Sequence, residues 1–211
     1  SIAGWGRGEM LVFVGTFSMI NALNMTLFFF GIYEIPRKIR EGELDHYLTK
    51  PIDPLLRLTF ENIDLGSAPL IAASALIVVH GASTLDTAVS YGTVIGYVIM
   101  VLLMTLLWYD VMLILRTVSF FFLSASAAAQ LEENFLPMNM KIPGVVYRGV
   151  FKAVFYLILP YGIMATFPTQ LLAGTLSAGG LFYGIGVVAL FTVLMLRFWR
   201  CGLCSYQSAS S

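Results

Sequence analysis

The chain has 211 residues, of which 58% are hydrophobic and only 11% are charged, and its formal net charge is zero. A soluble domain carries nearer a quarter of charged residues, so the composition excludes an ordinary soluble domain and indicates an integral membrane protein. The absence of net charge gives no support for a nucleic-acid partner.

The chain begins with Ser1 and shows no signal-peptide pattern. Residues 1–9 are predicted to form a loop that enters a hydrophobic run already in progress. We therefore expect a fragment that lacks at least one upstream span, although a trimmed version of the protein would look the same.

Five segments are apolar enough to cross a bilayer, which takes about 20 mostly apolar residues in a helix. They cover residues 10–33, 65–80, 88–115, 150–172 and 181–199. The first contains Asn21 and Asn24, whose amides are expected to face other helices, with a substrate path as the alternative. The second is short and holds Pro69, so we expect it to begin a turn earlier. The predicted fold is an all-α integral membrane protein with five visible transmembrane helices.

The third span continues through apolar residues beyond the length of one perpendicular crossing. The rise from Tyr91 to Asp110 is roughly 28 Å, about one hydrocarbon thickness. We therefore place Asp110 at a membrane interface and Arg116 beyond it, where the two can approach each other or meet lipid head groups separately. Because an ionisable residue within a span is by default functional, Asp110 is kept as a candidate pathway residue.

Lysine and arginine fall in alternate loops. Five lie between the first and second spans, four between the third and fourth, and two at the end of the fifth, whereas only Arg7 falls on the other side. By the positive-inside rule, residues 37–57, residues 116–152 and the C-terminus are predicted to be cytoplasmic.

Cys201 and Cys204 form a CxxC pair near the end of the chain. A zinc site takes about four ligands, and the sequence offers no second CxxC and no histidine pair. We interpret the cysteines as small residues at the end of a helix, and we predict no metal and no cofactor.

The loop at residues 34–60 is the most charged part of the chain and is predicted to be structured. Its apolar residues recur at near-helical spacing, with an interruption at Gly42. Pro51 ends the second helix, because a proline disfavours helix at the residue before it. Asp53 and Pro54 suit the cap and first position of a third helix. The loop is therefore predicted to be helix, turn, helix, turn, helix.

Acidic and basic residues are nearly balanced in this loop. A helix that lies on anionic lipid tends to be rich in Lys and Arg on its polar face. The mixed charge therefore favours docking to a protein over a lipid surface, which remains the alternative.

Four motifs resemble one family of ABC-2 type permeases, the membrane subunits of ATP-binding-cassette exporters. IREGELDHYLTKPIDPL, residues 39–55, is similar to the family's cytoplasmic loop, I-R-x-G-x-L-D-x-Y-L-x-[RK]-P-[VI]-[NDS]-P-L. GWGRGEMLVFVGTF resembles the start of its second span, ILPYGIMATFPTQLLAG its fifth span, and SYQSASS its tail. The family's first span has no counterpart here.

The resemblance implies that two six-span permeases, two copies or two similar chains, assemble with two copies of a separate ATPase. The chain has no G-x-x-x-x-G-K-[ST] pattern for nucleotide chemistry of its own, so it is predicted not to be an enzyme. The resemblance assigns residues 37–50 to a coupling region in a cleft of the ATPase, with acids facing basic ATPase residues and Leu44, Tyr47 and Leu48 as the buried anchor. The predicted coupling residues are Arg37, Arg40, Glu41, Gly42, Glu43, Leu44, Asp45, Tyr47, Leu48, Lys50 and Pro51.

The fourth span contains Pro160 and Pro168, which break or kink a membrane helix. In the resembled exporter class the corresponding span carries a re-entrant element near the external face, and residues 166–168 with Gly174 fit such a turn. The turn is expected to be either a gate or a packing kink. The candidate gate or pathway residues are Asn21, Asn24, Asp110, Pro160 and Pro168.

The expected role is that of a permease subunit for ATP-driven export in a bacterial inner membrane. One rival is a non-transporting partner in a heteromeric permease pair. Another is a membrane enzyme, for which the acidic pair Glu132–Glu133 is a poor candidate because it is expected to be solvated. The scarcity of charge within the spans disfavours a proton-coupled carrier and weakly favours amphipathic, lipid-like or polyaromatic cargo.

Overall fold

The computed structural model describes residues 4–85, 87, 89–121 and 142–206, and these residues contain helices and no strand, as predicted. Ala88 at the start of the third predicted span, the pair Glu132–Glu133, Lys141 and the tail 207–211 lie outside the described residues. The α-helices are α1 (Arg7–Asn24), α2 (Phe30–Tyr33), α3 (Ile35–Arg40), α4 (Asp45–Leu48), α5 (Pro54–Phe60), α6 (Ala68–Ala82), α7 (Tyr91–Thr117), α8 (Gly149–Ala153), α9 (Tyr161–Met164), α10 (Thr166–Leu172) and α11 (Ala178–Ser205).

The first helix is longer than its predicted span. α1, a π-helical turn at Met25–Phe29, α2 and α3 follow one another in a single apolar helix from Arg7 to Arg40. Its 34 residues reach about 51 Å, against about 30 Å of hydrocarbon. The first helix has the length and composition of a membrane span, and its charged end at α3 exceeds the length that a bilayer needs.

The second predicted span corresponds to a shorter helix. α6 has 15 residues, with Pro69 in its first turn, and follows a 3-10 turn at Leu65–Ser67. A proline fits the first turn because the N–H that it lacks would have no partner within the helix. α6 alone is therefore too short to count as a spanning helix.

The segment that contains α6 nevertheless lies antiparallel along most of α1. At one end the Asp64 amide donates a hydrogen bond to the Thr26 carbonyl over 3.0 Å. At the other end Gly8 lies against Thr84, whose hydroxyl would be 2.9 Å from an added β-carbon. Residues 64–84 therefore cover the same rise as residues 8–26.

Two glycines bring α1 and α6 into close contact. A β-carbon on Gly15 would lie 2.9 Å from the backbone nitrogen of Val78, and one on Gly81 would lie 2.8 Å from the backbone nitrogen of Val12. Only glycine fits at such a distance, since real β-carbons do not approach backbone atoms so closely. Small residues in this role are typical of membrane helix pairs.

α7 runs parallel to α1 at the centre of the structure, and it has the length and composition expected of the third predicted span. The hydroxyls of Thr16 and Tyr97 are hydrogen-bonded at 2.7 Å, and the rings of Phe28 and Tyr109 lie 5.0 Å apart. Both pairs have the same sequence offset, as a parallel pair of helices requires. α11 packs against α7 and has the length and composition expected of the fifth predicted span.

The fourth predicted span is broken at the first of its two predicted prolines. The helical segments Gly149–Ile158 and Tyr161–Leu172 meet at 81°, so the break lies at Leu159 and Pro160. Pro168 lies inside α10, in its first turn, where a missing N–H leaves no helical hydrogen bond unmade. The expected break at residues 166–168 is therefore wrong.

Three helices of the described part have the length and composition of a membrane span, or four if the bent pair counts as one. Helix length therefore does not confirm the expectation of five spans. The difference arises from the shortness of α6 and from the bend at Pro160.

Candidate functional site

The charged loop after the first long helix folds as the sequence pattern predicts. Gly42, at φ 73°, ends α3 in the left-handed region that favours glycine. α4 follows, and the side chain of Asp53 then caps α5 by accepting hydrogen bonds from two backbone amides, with Pro54 at the first helical position. The prediction of three short helices separated by turns is confirmed.

Arg37 is the centre of an ion-pair cluster that binds the loop to the end of the first helix. Its guanidinium donates to Glu34 at 2.6 Å, to Glu43 at 2.8 and 3.2 Å, and also to Glu41. The hydrogen bonds from Arg37 hold the pKa of Glu43 below its usual range. The predicted coupling acids Glu41 and Glu43 thus already have a basic partner within the chain.

Lys38, Tyr47 and Glu61 form a second cluster, deeper in the loop. The Lys38 ammonium donates to the Tyr47 hydroxyl at 2.5 Å and to the Glu61 carboxylate at 2.6 Å. The Tyr47 hydroxyl donates to the same carboxylate at 2.6 Å. Lys38 is 4% exposed, and a buried ammonium is tolerated only with such partners.

The predicted apolar anchor divides into buried and exposed parts. Leu44 is 0% exposed and Tyr47 is 7% exposed, and both belong to the chain's own core. Leu48, at 43%, is the member of the three that faces outward. The expectation that all three side chains are available to a partner is therefore corrected, because two of them fix the loop to its own helices.

The exposed face of the loop is small and mixed in character. It combines a protruding leucine and an isoleucine with basic, acidic and proline side chains. Its exposed members between residues 40 and 53 are Arg40, Glu41, His46, Leu48, Thr49, Lys50, Pro51, Ile52 and Asp53, while Asp45 is half-buried. Leu56 and Phe60 of α5 are exposed as well.

A cleft of about 690 Å³ separates the loop from the turn that leads to α6. Its wall carries more acidic than basic side chains. The charged members are Glu34, Arg37, Lys38, Glu43, Glu61 and Asp64. The Asp64 carboxylate accepts hydrogen bonds from the Ser67 hydroxyl and the Gly66 amide.

Asp110, the pathway candidate on α7, is fully buried. Its carboxylate accepts a hydrogen bond of 2.6 Å from the Thr192 hydroxyl on α11. Arg116, one and a half turns further, places its guanidinium over the Tyr33 ring at 4.9 Å. The expectation that Asp110 meets lipid head groups is wrong, because the side chain lies on the face of α7 that packs against α11.

The remaining pathway candidates are spread over different parts of the structure. Asn24 is buried and Asn21 is half-buried on the first helix, whereas Pro160 lies at the bend and Pro168 in α10. Within the described residues the amide of Asn24 makes no hydrogen bond. The structure does not bring these four residues into one site.

Cys201 and Cys204 are free and exposed in the last turns of α11. No group of three His, Cys, Asp or Glu side chains suited to a metal occurs in the described ranges. The interpretation of the cysteines as residues at the end of a helix is confirmed.

Sequence reasoning did not select Lys38, Glu61 or Glu34 as site residues. Lys38 and Glu61 are 23 residues apart, and no local pattern announces their pairing. The available signal was a lysine at the end of an apolar helix, in a position where burial would demand a distant acid.

A family described as an ABC-2 family transporter protein matches the chain over residues 1–210. No curated protein and no solved structure matches it.

Proposed function

Because the chain belongs to the ABC-2 family of transporter proteins, we propose that it is the membrane permease subunit of an ATP-driven exporter. Members of this family are membrane components of transporters, and the apolar helices of this chain make it a multi-pass membrane protein. The finer assignment is that the chain forms the translocation path and works with a separate ATPase subunit and a second permease chain.

The observation that carries the proposal is the ordered loop between the first long helix and α6. A loop that only connected two helices would not need three helical segments held by two ion-pair clusters. Here Arg37 and Lys38 fix the loop from one side, so that its outer face is presented as a rigid surface. A preorganised surface loses less conformational entropy when a partner binds.

The same surface supports the placement of the ATPase contact. Leu48 and Ile52 protrude among charged residues, and an apolar centre with a polar rim is the common form of a protein interface. The distribution of basic residues supports a cytoplasmic position for this loop and for the C-terminus, and hence a bacterial inner membrane.

The number of crossings is also part of the proposal. α6 alone is short, but residues 64–84 run antiparallel to residues 8–26 of the first helix. We therefore propose that α6 crosses the bilayer together with its preceding turn, and that the bent pair at Pro160 makes a fourth crossing before α11. With the first long helix and α7, these crossings make five spans in this chain.

The test is retention of the ATPase on a tagged chain, with both proteins expressed from their complete neighbouring genes. The variant Leu48→Asp/Lys50→Glu changes only exposed loop side chains, so the ATPase should be lost while the chain stays in the membrane. Arg200→Glu, an exposed charge at the end of α11, is the matched control and should retain it. Equal retention by all three proteins would contradict the proposed contact.

Charge reversal at Glu43 is a poorer test of the contact. Glu43 pairs with Arg37 inside the chain, so Glu43→Lys would disturb the loop itself. Asp45, which is half-buried, has the same disadvantage.

A further inference from the structure

Lys38, Tyr47 and Glu61 belong to three different elements. Lys38 lies in α3 at the end of the first long helix, Tyr47 lies in α4, and Glu61 directly follows α5 on the way to α6. A contact among the three side chains therefore joins the loop to both of the long segments that flank it.

The contact is a closed triangle of hydrogen bonds. Lys38 donates to Tyr47 and Glu61 at 2.5 and 2.6 Å, and Tyr47 donates to Glu61 at 2.6 and 2.8 Å. Each of its three sides involves at least one charged group, whose hydrogen bonds are stronger than those between neutral groups. A hydrogen bond weakens steeply when its donor–hydrogen–acceptor angle departs from linear, so the triangle resists sliding of α4 relative to Lys38 and Glu61.

Part of the support of α4 is apolar. Tyr47 is the buried residue of α4, and Leu44, just before it, makes an apolar contact. Apolar contacts are non-directional and permit sliding. The triangle therefore adds directional contacts to α4, beside the Leu44 amide, which donates to the Lys38 carbonyl at 3.3 Å, and the Arg57 guanidinium, which lies over the Tyr47 ring at 4.9 Å.

α5 is already seated on the first helix. A β-carbon on Gly31 would lie 2.2 Å from the Leu58 carbonyl oxygen, so α2 and α5 pack backbone against backbone. The end of the first helix and α5 therefore form one base, and the triangle attaches α4 to that base.

We propose that Lys38, Tyr47 and Glu61 are positioning residues that pass a displacement of α4 to the first long helix and to α6. The proposal rests on the proposed function, since it takes the ATPase as the source of the displacement. The three residues lie between the membrane helices and the exposed face of the loop, which is the docking surface proposed for the ATPase. Loss of the triangle should leave the ATPase bound, but the first long helix and α6 should no longer move with α4.

The experiment uses the complex of full chain and ATPase in lipid, with Cys201 and Cys204 replaced by Ser. Spin labels are placed on cysteines at two exposed positions, Ser83 at the end of α6 and Ala178 at the start of α11. Labelled chain is diluted with unlabelled chain so that each complex carries one labelled copy. Distances are measured by double electron–electron resonance without nucleotide and after trapping with ATP and vanadate.

The wild type should show a shift in the Ser83–Ala178 distance on trapping. Lys38→Met and Tyr47→Phe should retain the ATPase and lose the shift, and the exchange Lys38→Glu/Glu61→Lys should restore it. Tyr47→Phe keeps the buried ring, so it serves if Lys38→Met fails to fold. Lys152→Met, an exposed lysine outside the loop, should behave as the wild type.

A wild-type shift in both Lys38→Met and Tyr47→Phe would overturn the proposal. Loss of the ATPase from Tyr47→Phe would also overturn it, because the residue would then belong to the docking surface.

A second measurement separates this proposal from the proposed function. In the chain without ATPase, labels at Thr49 and Ser83 should give a narrow distance distribution that broadens in Tyr47→Phe. An unchanged width in Tyr47→Phe would overturn the proposal. If the wild-type chain binds no ATPase but Tyr47→Phe still broadens the distribution, only the proposed function is contradicted.

Discussion

Lys38 is a lysine that folding has removed from water, and its pairing with Glu61 decides what substitutions there will do. Removing one partner of a buried pair costs about 3–5 kcal/mol, whereas exposed pairs contribute about 1 kcal/mol or less. The Lys38 side chain is 5% exposed and that of Glu61 is 32% exposed. The pair therefore lies between the two cases.

We expect Glu61→Gln to lower the free energy of unfolding by about 2–3 kcal/mol, because it leaves a buried ammonium without counter-charge. Lys38→Met/Glu61→Gln should be less destabilised than the single variant, since both the charge and its need for a partner are gone. Thermal unfolding in detergent measures the relative stability of the two variants and the wild type, with Lys152→Met as the control. A double variant that is less stable than Glu61→Gln would refute the pairing.

The same carboxylate predicts a pH dependence. Burial raises the pKa of Glu61, but hydrogen bonds from Lys38 and Tyr47 outweigh burial and hold the pKa below its ordinary value of 4.5. A carboxyl group with a lowered pKa stabilises the folded state above its unfolded pKa, and the contribution disappears as the pH falls through the lowered value. The melting difference between wild type and Glu61→Gln should stay constant from about pH 8 to 5 and close below about pH 4.5. A difference that closes above pH 6 would contradict the assignment.

At this scale the sequence predicted residue types better than partners. Gly42, Asp53 and Pro54 act through their neighbours in the chain, so local rules were sufficient for them. Tyr47 was predicted to be buried against a partner, whereas it is buried in the chain's own core and its hydrogen-bond partners are residues 38 and 61. Pairings across such separations depend on how helices pack, which one sequence does not state.

Among the helices, the antiparallel contact of α1 with α6 depends on two glycines. Gly15 and Gly81 face backbone atoms at distances that exclude a β-carbon. Gly186 on α11 has nothing within 4 Å of an added β-carbon. Substitutions at Gly15 and Gly81 therefore test helix packing, whereas a substitution at Gly186 tests helix propensity alone.

Gly15→Ala should destabilise the chain by about 1–3 kcal/mol, the usual cost of overpacking. Gly186→Ala should be neutral or stabilising by up to about 1 kcal/mol, because alanine favours a helix more than glycine does. Thermal unfolding of the two variants in the same detergent compares them. A stabilising Gly15→Ala would show that α1 and α6 are not in close contact.

The proline positions show where element-level prediction fails. The apolar pattern offered equal reason to expect a break at Pro160 and near Pro168. The structure breaks the helix at Pro160, whereas Pro168 lies in the first turn of α10. A proline is harmless at the start of a helix and disruptive within it, so its effect depends on a boundary that the apolar pattern did not mark.

For the whole molecule, the main structural proposal is that α6 crosses the membrane despite its length. Cysteines at Thr49 and Ser83, in a chain without Cys201 and Cys204, test it by reaction with an impermeant maleimide in intact cells. Ser83→Cys should react from outside, and Thr49→Cys only after the cells are permeabilised. Reaction of both cysteines under the same condition would place both ends of α6 on one side.

The membrane class, the long helices and their order could be predicted because hydropathy is summed over about 20 residues at a time. The count of spans was less predictable, because a 15-residue helix and a bent pair lie near the limit of that rule. The burial of Asp110 against α11 depends on how α7 is rotated about its axis. A single sequence does not determine that rotation.

The proposed role of this chain is that of a permease subunit driven by a separate ATPase. It is tested most directly by vanadate-sensitive ATP hydrolysis in the material that co-purifies with the tagged chain after reconstitution in lipid. We expect ATP hydrolysis with the wild type and with Arg200→Glu, and its loss with Leu48→Asp/Lys50→Glu. Absence of hydrolysis from the wild-type material, with the chain folded and the ATPase expressed, would contradict it.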